Sequence, residues 1–192
     1  MKARLALLAT MCVATSLNAC GDVASLQATA PTFADTLSLW ALSGTPPSYP
    51  SAISIPTRQI VRVDGFGAFD VAFDIDANGR AVVYPVKLIV ANPGGSRPVG
   101  MQKVSGLFDS LLVAPSSGYE TDSALVLAPH ESVVVESPHN GSGDICQYAI
   151  SPNLYAKITL DSLNLATRIL YLRMGFDPNC GFRSFATGIP TS

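Results

Sequence analysis

Apolar residues in this chain come in short runs, separated by clusters of Pro, Gly, Asn and Ser. That rhythm belongs to an all-β sandwich or barrel. It predicts strands over residues 36–42, 52–55, 59–63, 104–113, 124–127 and 132–136, with loops at 44–50, 92–98 and 138–144. Leu154, Ala156, Ile158 and Leu160 alternate with Tyr155, Lys157, Thr159 and Asp161. This is a half-buried strand, because strand side chains point to opposite faces in turn. Residues 164–176 carry two periods. Leu170, Leu172 and Met174 alternate, while Leu163, Ala166, Leu170 and Met174 stand at helical spacing; the surrounding β pattern favours a strand. The tail after Cys180 is small and polar and is expected to follow the surface. The expectation is an all-β chain with a single β-sandwich-like domain of mainly antiparallel strands.

One hairpin has a stated register. Asn78-Gly79 is the preferred dipeptide of a two-residue type I′ turn, which needs positive φ at both positions. If these residues form the loop, Ala77 faces Arg80, Ile75 opposes Val82, Phe73 opposes Tyr84, Val71 opposes Val86, and Phe69 opposes Leu88. Asp70 then opposes Lys87 as a cross-strand ion pair. Pro85 fits only an edge strand or a bulge, since it cannot donate to a ladder.

The first nineteen residues differ from the rest. Lys2 and Arg4 precede an apolar run over residues 5–13, and the small residues Ala14, Thr15 and Ser16 follow. The run is short of the roughly twenty apolar residues a spanning helix needs, and the layout is that of a signal peptide. Leu17-Asn18-Ala19-Cys20 resembles the lipobox of bacterial lipoprotein precursors. In that family the cysteine is lipidated and becomes the new N-terminus, which implies a lipid on Cys20. Gly21, rather than an aspartate, follows the cysteine; by the same resemblance this favours the outer membrane of a Gram-negative envelope. The alternatives are ordinary secretory cleavage after Ser16 and a purely structural Cys20. The resulting division is a signal peptide over 1–19, a lipid-anchored tether over 20–32 and one β-rich domain over 33–192.

Composition changes the picture in two ways. Without Lys2 and Arg4 the twelve Lys+Arg fall to ten against fourteen Asp+Glu, a net charge of −4. A nucleic-acid partner wants a basic patch, and none is expected. Charged residues make up only 14% of the chain and apolar ones 48%, whereas disordered chains are highly charged and poor in apolar residues. Of the four cysteines, Cys12 leaves with the signal peptide and Cys20 is the lipidation candidate. Cys146 and Cys180 remain in an exported domain, where disulfides persist. Neither sits in a C-x-x-C or a Cys/His cluster, so they are expected to pair.

Candidate chemistry is thin. Asp74-Ile75-Asp76-Ala77-Asn78-Gly79 matches the front half of a calcium loop, but Pro85 stands where an EF-hand places its bidentate Glu. The hairpin explains the same residues without a metal. His130 and His139 each follow a proline and read as exposed loop residues. A zinc site needs three or four ligands, and nothing in the spacing supplies them. Ser142 lies near His139 in Gly141-Ser142-Gly143-Asp144, which is a turn and not a nucleophile elbow. Trp40, Tyr49, Tyr119, Tyr148 and Tyr155 are candidates for a binding surface, although aromatics in strands commonly serve packing. No catalytic residue, metal or cofactor is expected.

The expectation for function is therefore a lipid-anchored envelope protein, a non-catalytic interaction or structural module. It would meet the membrane through its anchor and could engage another envelope protein. The alternative is a small-ligand or carbohydrate-binding sandwich that uses Trp40, Tyr49 or Tyr119 at a loop-rich end.

Overall fold

The computed structural model describes residues 28–64, 69–90, 98–139 and 141–191. Cys20, the signal peptide and all of the 92–98 loop except Pro98 lie outside them. Ten strands, all antiparallel, build two five-stranded sheets: β1 (Phe33–Trp40), β2 (Ala52–Ser54), β3 (Gln59–Val61), β4 (Val71–Ile75), β5 (Ala81–Pro85), β6 (Gly100–Val104), β7 (Leu125–Leu127), β8 (Ser132–Pro138), β9 (Asn153–Asn164) and β10 (Ile169–Asp177). The first sheet runs β1-β10-β9-β8-β6 and the second β3-β2-β4-β5-β7. A helical turn, α1 (Val86–Ile89), follows β5.

One core lies between the sheets. Leu39, Met101, Val133, Val135, Ala156, Ile158, Leu160, Leu172 and Met174 come from the first, and Ile53, Val71, Phe73, Ile75, Val83 and Leu127 from the second. Along β9 the inward set Leu154, Ala156, Ile158 and Leu160 lies in this core as expected, but the strand is not half-buried, since Tyr155, Lys157 and Thr159 on its other face are buried too. The ambiguous region resolves into a β9–β10 hairpin. Asn164 Oδ1 accepts from the amides of Ala166 and Thr167 and so closes the turn, and Arg168 sits at φ +54°.

Part of the other face of the first sheet is covered. Residues 105–121 and the C-terminal tail lie across it. Ala114 donates its amide to Arg183 O and Phe185 donates to Leu112 O. Ala114, Val134, Tyr155 and Phe185 form a second small core, with Val104, Leu111 and Tyr119 packed against it. The tail therefore departs from the expected surface path: Phe182 and Phe185 are buried. The predicted strand over 104–113 is also corrected. The strand lies upstream as β6, Gly106 turns the chain at φ +123°, and a 3-10 turn at Phe108–Ser110 follows.

The Asn78-Gly79 hairpin exists, but its register is one residue off the expected one. Ile75 pairs with Ala81, Phe73 with Val83 and Val71 with Pro85. The loop has three residues, not two. Gly79 donates to Asp76 O, Asp76 donates to Arg80 O, and Gly79 takes φ +76°. This is a type I turn closed by a left-handed glycine. Asp70 consequently does not face Lys87, which pairs instead with Asp122. Pro85 sits on an inner strand, yet β7 reaches only to Val83, so no strand asks for the missing donor. Leu88, expected to face Phe69 across the hairpin, belongs to α1 and is exposed.

Candidate functional site

Two buried polar clusters and one exposed loop collect the side chains with chemical potential. The first cluster joins the sheets at one end. Ser137, near the end of β8, donates its hydroxyl to Asp70, which lies in the bend before β4. Asp70 Oδ2 also accepts from the Ile55 amide at 2.6 Å. His139 Nε2 lies 2.9 Å from Ser137 Oγ and 3.5 Å from Asp70 Oδ1. His139 is thus a buried residue, 3% exposed, and not the exposed loop histidine expected from its proline neighbour. Its hydroxyl partner is Ser137 and not the exposed Ser142.

Serine, histidine and aspartate together invite comparison with a catalytic relay. In a relay the acid holds one ring nitrogen and the serine meets the other. Here the acid and the hydroxyl both meet Nε2. A hydroxyl has one proton, and Ser137 gives it to Asp70. Its oxygen lies 2.9 Å from His139 Nε2, so the hydroxyl proton is committed to the acid and not to the ring. The cluster is a polar clasp between β4 and β8, sealed among buried residues.

The second cluster lies under the covering layer. Lys157 points away from the main core and donates to Phe108 O at 2.5 Å and to Leu111 O at 2.9 Å. Its ammonium stands 4.1 Å from the Phe108 ring centre and 5.5 Å from that of Phe185. Burial pushes its pKa below the usual lysine value, against the pull of nearby Asp109. The chain of Lys157 lies across Gly175, its cross-strand partner. A cavity of about 310 Å³ opens beside it, lined by Phe33, Phe108, Asp109, Lys157 and Phe185 among others. Nearby, Tyr155 donates to Glu136 at 2.8 Å, and its phenol is pushed up to about 12, first by burial. The Tyr119 phenol is raised too, by burial and then by Tyr155 and Glu136. Lys157 gives two protons to backbone carbonyls, so its present task is to hold the 3-10 turn onto the sheet.

The remaining candidates fall in separate places. Asp76 caps its own turn, accepting from the amides of Asn78 and Arg80 and from Arg80 Nε. The Arg80 amide does most to hold its carboxyl below the usual range. Asp74 accepts from Ser43 and lies 3.3 Å from Arg168. The calcium-like motif is therefore spent on turn and inter-loop bonds. Among the described residues no group of three or more His, Cys, Asp or Glu side chains could hold a metal. His130 is exposed and has φ +68°. Trp40 and Tyr49 face each other at 4.8 Å between ring centres, Tyr119 is half-buried, and Tyr155 is buried. These aromatics do not converge on one surface.

The exposed feature is the loop over residues 141–152. Cys146, in its middle, is buried and joined to Cys180, with the two Cα atoms 5.7 Å apart. Around it Ile145, Tyr148 and Ile150 are turned outward. The first described residues arrive at the same place: Thr29 and Ala30 donate their amides to Asn179 Oδ1, and Asn179 Nδ2 donates to Ala30 O. Residues 29–32, read as the end of a tether, are thus bonded to the domain. Sequence reasoning placed a loop only over 138–144 and named Tyr148 alone of these three, because the short apolar runs Ile145-Cys146 and Tyr148-Ala149-Ile150 carry no period that shows which side chains turn outward. Among the described residues no helix is long and apolar enough to cross a membrane. No known protein family matches the chain, and no similar curated protein or solved structure is found.

Proposed function

We propose that the chain is a lipid-anchored envelope protein whose sandwich domain acts by contact, as an interaction or structural module. In this reading residues 1–19 are a signal peptide, Cys20 carries the lipid, and the outer membrane is the destination. The observation that carries it is the Cys146–Cys180 disulfide, since such bonds persist outside the reducing cytoplasm. The polar clusters support the non-catalytic part. Ser137, His139 and Asp70 bond to one another between the sheets, and Lys157 holds a backbone turn, which gives these groups a part in the fold.

Two measurements test the proposal. The mass of the N-terminal peptide from envelope-purified protein should include a diacylglyceryl group on Cys20; an unmodified cysteine, or a start after Ser16, refutes the anchor. Mild crosslinking in intact cells should then yield a stoichiometric protein partner. Turnover of a substrate by the purified protein refutes the non-catalytic reading.

A further inference from the structure

We infer that the 141–152 loop is a second membrane contact, seated in the headgroup region of the bilayer that holds the anchor. The inference rests on the lipid at Cys20 and adds a face and an orientation to it. Three exposed apolar side chains stand within six residues of one another: Ile145 at 57%, Tyr148 at 93% and Ile150 at 70% exposure. An exposed apolar group of this kind marks an interaction site more often than chance. Tyrosine beside isoleucine suits the membrane interface, where an apolar ring body and a polar hydroxyl are both accommodated.

Charge agrees. The only charged side chain over residues 141–152 is Asp144, and its carboxylate accepts from the Gly141 amide at 3.0 Å. The loop therefore offers a bilayer little charge to desolvate. It is also held rigidly from behind, because Cys146 is tied to Cys180 and its amide donates to His139 O at 3.0 Å.

The occupant follows from where the chain enters. Thr29 and Ala30 are bonded to Asn179, the residue before Cys180, and Cys180 is bonded to the centre of the loop. Nine residue steps separate Cys20 from Thr29, at most about 30 Å of extended chain and roughly 17 Å as a flexible one. A lipid on Cys20 therefore keeps this end of the sandwich near the surface, and the loop meets the bilayer at high effective concentration. Tyr49, packed on Trp40, and the β9–β10 turn lie at the opposite end. Tyr171 lies toward that end, third in β10, while Asn179 stands two residues past the end of the strand.

Hydroxyl-radical footprinting of the full lipidated protein on phosphatidylethanolamine–phosphatidylglycerol vesicles tests this with internal references. In the uncovered protein Tyr148, 93% exposed, should oxidise faster than Tyr49 at 44% and Tyr171 at 40%. On vesicles the order is expected to invert, with Tyr148 slowed several-fold, and Ile145→Asp/Ile150→Asp should restore it. The order Tyr148 fastest, on protein whose Cys20 mass includes the lipid, overturns the inference and leaves the anchor standing. An unlipidated Cys20 in the same digest removes both. Protection of Tyr148 in cells but not on vesicles of the purified protein means that a protein covers the loop, and also overturns it.

Discussion

Asp177 is the most telling single residue. It is fully buried at the end of β10, Asn179 gives its Oδ1 two hydrogen bonds, the Ser184 amide also favours its charged form, and among the described residues Oδ2 has no partner within bonding geometry. Burial raises its pKa above the ordinary 3.8. As pH climbs from about 3.8 toward that raised value, the unfolded chain has released the proton and the folded chain still holds it. Folded protein then binds more protons, and stability falls with rising pH. Thermal melts across this range should show the wild type losing ground to Asp177→Asn as pH increases, with no change in the difference above the window. Gly175 makes a second residue-scale case. A Cβ there would lie 2.6 Å from Lys157 Cε and 2.9 Å from its Cγ, so the whole lysine must shift and release the Phe108 carbonyl. Gly175→Ala should cost about 1–3 kcal/mol, as overpacking does, read from urea midpoints.

At the scale of elements, the β4–β5 hairpin turns on Gly79. Its φ of +76° is strained for a side chain, and an added Cβ would meet Leu165 at 3.3 Å. Gly79→Ala should destabilise by about 1 kcal/mol without changing the slope of the urea transition. The Asn-Gly signal located this turn correctly but not its length. The carboxylate of Asp76 binds the amides of Asn78 and Arg80, so three residues fit where two were expected, and every pair moves by one. Alternation was readable along β9 because its inward set is apolar throughout. The outward set of Tyr155, Lys157 and Thr159 reads as a solvent face, yet all three are buried. What covers them is irregular chain, which has no period to detect. Ser137 and His139, two apart at and just past the end of β8, could have been paired. Asp70 arrives from the other sheet, and no local pattern announces that.

Across the molecule, two links hold parts distant in sequence. The disulfide closes a separation of 34 residues; Cys146→Ser/Cys180→Ser should lose about 4 kcal/mol by the chain-closure relation, measured in urea. The Asp70–Ser137–His139 clasp joins the sheets. Ser137→Ala removes the hydroxyl that the other two contact and should cost about 1–3 kcal/mol. Ser142→Ala, in an exposed turn, should stay within about 0.5 kcal/mol of wild type.

The place of β1 has a consequence in time. Residues 33–40 lie at the edge of their sheet and pair only with β10, Trp40 opposite Ile169 and Phe33 opposite Phe176. A ribosome adding about 5–20 residues per second needs on the order of ten seconds to travel from one to the other. For that interval the earliest of the described strands is a finished sequence without its strand partner, bearing Phe33, Leu37, Leu39 and Trp40. Whatever accompanies the nascent chain must shield that segment first and release it last.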